Sequence, residues 1–130
     1  MKNRSKKERI RDLTNAMRKE RGDMNPEWAY LVERDVDFME TYNKLYEKAL
    51  TGGRALPAKT KELITIGILA FRGLHDAVYV HAKRALELGA TKQELMEAIE
   101  TTIISGGAPT LRSGLRALVR LEEEEKDKTR

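Results

Sequence analysis

No cysteine occurs in these 130 residues. That absence removes disulfides, zinc–thiolate sites, iron–sulfur clusters and thiol nucleophiles as readings of the chain. Histidine is scarce as well, with two residues, so a metal site would need carboxylates to complete it and none is expected. With only three prolines, 40% apolar and 35% charged residues, the composition is that of a globular helix-former and not of a disordered chain. Long apolar runs are missing too. No spanning segment or secretory signal is expected, and the cytoplasm is the default compartment. A Walker loop, a dinucleotide fingerprint, a serine elbow and a two-histidine zinc motif are all absent, and no cofactor is expected.

The net charge of +4 is uneven. Residues 1–21 hold nine Lys/Arg against Glu8, Asp12 and Glu20, a surplus of +6, so residues 22–130 carry −2. The basicity therefore belongs to an N-terminal arm, residues 1–22, ahead of a single helical domain over 23–130. Such an arm can meet nucleic acid or acidic lipid. Against that, acidic residues interleave with the bases and no aromatic stands among them. The expected role is instead a solvated helix that docks Ile10, Leu13, Ala16 and Met17 on the body or on a neighbouring subunit.

Punctuation divides the remainder into helices. Gly22-Asp23 ends the arm, and Asn25-Pro26 supplies a cap and a first-turn proline. Apolar residues from Trp28 to Leu50 recur at three- and four-residue steps, with a candidate break at Arg34-Asp35. Thr51-Gly52-Gly53 stops that pattern. Leu56-Pro57-Ala58 opens a helix that is apolar nearly all round from Leu63 to Phe71, which predicts the most buried helix. Another spans His75 to Leu88 and stops at Gly89. Thr91-Lys92-Gln93-Glu94 forms a capping box, and Ser105 to Pro109 separates the last two helices. The expected architecture is an all-α bundle of about six helices.

Both histidines lie in one segment. His75 and His81 are six residues apart, about 120° in rotation, so they do not face one metal from regular helix positions. Ala77 and Ala85 flank His81 at helical spacing and leave room beside its ring. His81 reads either as a general acid/base or as a core histidine bonded to a carbonyl. Glu62 reads either as a carboxylate favouring the helix start or as the partner of His81. Sequence alone does not bring the two together. Gly106-Gly107-Ala108-Pro109 reads as a tight corner between helices.

The order of these residues resembles the carboxymuconolactone decarboxylase family, which includes the alkylhydroperoxidase D-like proteins. The resemblance rests on Leu56 to Ile64, His81 to Thr91, Gln93 to Ala98 and Gly106 to Pro109, in register across roughly residues 35–120. It implies an all-helical protomer of a homotrimer or homohexamer. It also implies a Cys-x-x-Cys pair in the hydroperoxidase branch, at the positions of Leu74 and Ala77, so thiol peroxidase activity is not expected. The decarboxylase-like branch implies a glutamate at Ala77, which is missing as well. What remains is cofactor-independent acid/base chemistry on a small organic acid or lactone. His81 would be assisted by Glu62, with His75 as a further candidate and Tyr79, Lys83 or Arg72 holding the substrate. The alternative is a non-catalytic oligomeric binding or scaffold protein.

Overall fold

Side chains that accept backbone hydrogen bonds begin four helices in the computed structural model, which describes residues 3–22 and 24–130. Lys2 of the basic arm and Asp23 at its expected end lie outside the described residues. The chain divides between Gly52 and Gly53 into two compact units.

The first unit holds α1 (Lys6–Arg21), α2 (Pro26–Arg34), α3 (Val36–Tyr46) and a π turn, Glu47–Thr51. Ser5 and Glu8 cap α1 reciprocally. Asn25 Oδ1 accepts from the Trp28 N–H at 2.8 Å. Arg34-Asp35 is a true boundary, because the Asp35 carboxylate accepts the Phe38 N–H at 3.1 Å and starts α3. The arm docks on its own chain. Leu13 and Met17 of α1 are buried with Val32, Val36 and Met39 of α2 and α3. Arg9 fixes the register, pairing with Glu40 at 2.7 Å and with Asp37. The guanidinium holds the Glu40 carboxyl below its ordinary range, chiefly through that hydrogen bond.

The second unit comprises α4 (Ala58–Phe71), α5 (His75–Glu87), α6 (Lys92–Thr101) and α7 (Ile103–Lys128). Its core centres on Ile66, Val78, Ala82, Leu95 and Ile99. Burial of a side chain such as Ile99, fully enclosed, contributes about 1.5–3 kcal/mol. The expected capping box is present: Thr91 Oγ accepts from the Glu94 N–H and Glu94 Oε1 accepts from the Thr91 N–H, each at 3.0 Å. The break expected after Ser105 falls at Gly107, whose φ of 71° and ψ of −170° kink α7. Among the described residues all regular structure is helical, in seven α-helices and the π turn. No described helix is long and apolar enough to cross a membrane.

One expectation is corrected. α4 is not wholly buried: Glu62, Ile66 and Ala70 face inward, while Ile64, Ile68 and Phe71 are 47%, 55% and 55% exposed. The apolar circumference of α4 thus divides into one enclosed stripe and one opposite stripe that the described residues leave uncovered.

Candidate active site

Glu62 and His81 meet because α4 and α5 form an αα-hairpin. Gly73 makes the corner possible with a φ of 73°, a left-handed conformation that glycine adopts without strain. The corner is fastened by Gly73 N–H to Ala70 O and Leu74 N–H to Leu69 O, both 3.0 Å. Two antiparallel helices leaving it place the buried stripe of α4 beside the flank of α5. There His81 Nδ1 lies 2.7 Å from Glu62 Oε2. The glutamate side chain is 2% exposed and the histidine 18%. Ala85, one turn after His81, is buried, and Ala77, one turn before it, is partly covered.

A carboxylate at Nδ1 fixes the tautomer. Nδ1–H donates to Glu62, and Nε2 is left for a reacting molecule. Such a contact can orient the ring of a general acid/base, and its length is that of a normal hydrogen bond.

The other candidate residues stand apart from this pair. His75, in the first turn of α5, has Nδ1 3.2 Å from Asp76 Oδ1. It lines a cleft of about 240 Å³ with Arg116 and Arg120. Tyr79 is buried toward α7, where its O–H donates to Glu124 and the Arg120 guanidinium stacks 3.6 Å from the ring centroid. The Tyr79 hydroxyl is the main reason the Glu124 carboxyl is held below its usual range. Lys83 follows Tyr79, its Nζ 5.4 Å from the same ring. Arg72 is exposed at the C-terminal end of α4. Two of the six candidates therefore meet, and four do not join them. Among the described residues no group of three or more metal-ligating side chains gathers.

Two apolar clefts complete the second unit. A groove of about 660 Å³ runs between α4 and α6, lined by Ile64, Ile68 and Phe71 with Glu94 and Glu97. One of about 250 Å³ lies between α6 and α7. None of the three clefts is lined by His81 or Glu62.

Comparison with known proteins agrees with the helical architecture. The model of the carboxymuconolactone decarboxylase family matches residues 37–120. An uncharacterised protein of Cupriavidus necator is 37% identical over 71 residues, which cover 55% of this chain and 63% of that protein's length. One from Methanocaldococcus jannaschii is 32% identical over 90 residues, 68% of this chain and 86% of the relative. A crystal structure of a candidate carboxymuconolactone decarboxylase from Burkholderia xenovorans LB400 superposes with a TM-score of 0.76 at 23% identity. It covers 95% of this chain and 98% of that one. A carboxymuconolactone decarboxylase family protein from Legionella pneumophila gives a TM-score of 0.68 at 26% identity, covering 92% and 97%.

Proposed function

The chain belongs to the carboxymuconolactone decarboxylase family, and from that premise we propose that it is a cofactor-independent acid/base catalyst acting on a small organic acid or lactone. The observation that carries this reading is the 2.7 Å bond between His81 Nδ1 and buried Glu62. In a decarboxylation, the bond to the departing carboxylate breaks, carbon dioxide leaves, and the electron pair stays on the adjacent carbon as an enolate. His81, carrying a proton on both ring nitrogens at this step, delivers the Nε2 proton to that carbon while Glu62 holds Nδ1–H, and Nε2 regains a proton from solvent before the next turnover. Assistance of this kind is worth about 10²–10⁴-fold in rate. Two-thiol peroxide chemistry is outside the reading, because Leu74 and Ala77 stand where its nucleophiles would be.

The test is turnover on a panel of lactones and carboxylated lactones, with His81→Gln and Glu62→Gln as controls. Loss of roughly 10²-fold or more in kcat for His81→Gln is the expected result. Absence of turnover across the panel, or unchanged turnover in His81→Gln, rejects the reading.

A second reading is a non-catalytic oligomeric binding protein, and one observation favours it: no described cleft opens on His81 or Glu62. Two others favour catalysis, since the imidazole is bonded to a carboxylate and not to a main-chain carbonyl, and it keeps 18% exposure. Self-association belongs to both readings. The surface proposed for it is the uncovered stripe of α4, where Ile64, Ile68 and Phe71 recur one turn apart. A second copy presenting the same stripe would bury it at a two-fold contact; of the homotrimer and homohexamer that the family resemblance implies, only a hexamer of two stacked trimers contains one.

A further inference from the structure

The proposed chemistry calls for a cation to receive the substrate carboxylate, and the two suggested by residue type alone stand elsewhere. Lys83 is two residues past His81, about 200° round the helix, on the Tyr79 side of α5. Arg72 is ten residues along α4 from Glu62, about 15 Å at helical rise. Lys59, one turn before Glu62, is held by Glu94 at 3.1 Å.

Arg84 differs from all three. It follows His81 by three residues on α5, about 60° away in rotation, so their Cβ atoms are about 5–6 Å apart. Its Nη1 pairs with Glu87 Oε2 at 3.1 Å, and the glutamate is well exposed. Its Nε–H is buried with no hydrogen-bond partner among the described residues. A guanidinium receives a carboxylate best along an edge that offers two parallel N–H bonds. Glu87 engages Nη1 alone, and Nε on the other edge is enclosed without an acceptor among the described residues. The pair with Glu87 is at the surface and holds weakly, whereas an unpartnered buried N–H gains most from a charged acceptor. Turning the side chain from Glu87 toward an anion at His81 exchanges the weaker contact for the stronger.

We propose that Arg84 receives the substrate carboxylate beside His81, making the site selective for organic anions over neutral molecules of the same shape. The proposal rests on the acid/base reading of the Glu62–His81 pair.

Because the sequence has two histidines, each imidazole signal can be followed by NMR in the full chain, with His75 as an internal control. Succinate serves as the anionic probe and succinamide as its neutral counterpart. Succinate is expected to shift the His81 signals saturably and the His75 signals only with ionic strength, while succinamide shifts neither. Arg84→Gln is expected to weaken succinate binding about tenfold or more, as loss of charge-assisted bonds implies. Arg84→Lys keeps the charge without the two-pronged edge and is expected to bind about threefold or more weakly; it also decides the matter if the glutamine variant does not fold. Equal responses to succinate and succinamide, no saturable shift in the natural chain, or wild-type affinity in either variant overturns the proposal. Its failure is separable from failure of the acid/base reading, which is decided by turnover in His81→Gln and not by anion binding.

Discussion

Replacing His81 by alanine leaves the Glu62 carboxylate 1% exposed without the ring that it now meets at 2.7 Å. Removing the partner of a buried carboxylate strands that group and costs about 3–5 kcal/mol, as for one member of a buried charged pair. His81 is 18% exposed, so water can enter part of the vacated space and the lower end, about 3 kcal/mol, is expected. Glu62→Gln keeps the shape and one neutral hydrogen bond, so its cost is expected at about 1–2 kcal/mol. The double variant has no charge left to strand. Its cost should therefore fall short of the sum of the single costs by about 2 kcal/mol, a coupling well above the few tenths expected for independent sites. Urea unfolding followed by circular dichroism at neutral pH measures all four corners of the cycle, with an unchanged slope as the check that only stability has moved. The measurement is best made cold, because a domain has only about 5–15 kcal/mol in total. A cost below about 1 kcal/mol for His81→Ala, or additivity across the cycle, refutes the picture of a buried carboxylate held by this ring.

Three further outcomes follow from the packing. A Cβ at Gly114 would stand 2.5 Å from Ile99 Cγ2 and 2.8 Å from Cγ1; Gly114→Ala should cost up to about 2 kcal/mol net, overpacking of about 1–3 kcal/mol offset by about 1 kcal/mol of helix propensity, and a stabilised variant in urea unfolding refutes it. Ile68 is 55% exposed, so Ile68→Glu should move protomer stability by less than about 0.5 kcal/mol yet lower the particle mass in sedimentation; an unchanged assembly refutes the α4 interface. The Glu40 carboxyl is depressed by its bond to Arg9, so the pair stabilises the fold above the ordinary value of 4.5 and the contribution is lost as pH falls through the depressed value. The stability gap between the natural chain and Arg9→Gln should therefore be full at neutrality and close in acid below 4.5, and a gap that widens toward acid refutes it.

How far the sequence could be read follows from the range of the forces involved. Helix starts were legible at Asn25 and Thr91 because a cap and its backbone donor lie within three residues of each other. The Arg34-Asp35 break is visible for the same reason, the Asp35 carboxylate lying three residues before the Phe38 N–H that it accepts. The α4 pattern is ambiguous in sequence because all-round apolarity has two physical causes, full enclosure or one enclosed stripe opposite an uncovered one, and composition does not separate them. The exposures of Ile64, Ile68 and Phe71 do.

The site shows where reading along the chain gives way to geometry. Glu62 and His81 are 19 residues apart, and their meeting depends on the register of two helices leaving a corner at Gly73. Each could be suspected from residue type, since a carboxylate in an apolar stripe and a histidine between alanines are both unusual. Neither residue's neighbours in sequence specify the other. Lys83 and Arg84 are adjacent, both are cations, and both lie within one turn of His81, so residue type does not choose between them. Helical phase does: about 200° turns Lys83 toward Tyr79, and about 60° leaves Arg84 on the His81 side of α5. The signal available in sequence was thus the interval from the histidine. An i+3 cation shares its face, and an i+2 cation is turned to the far side.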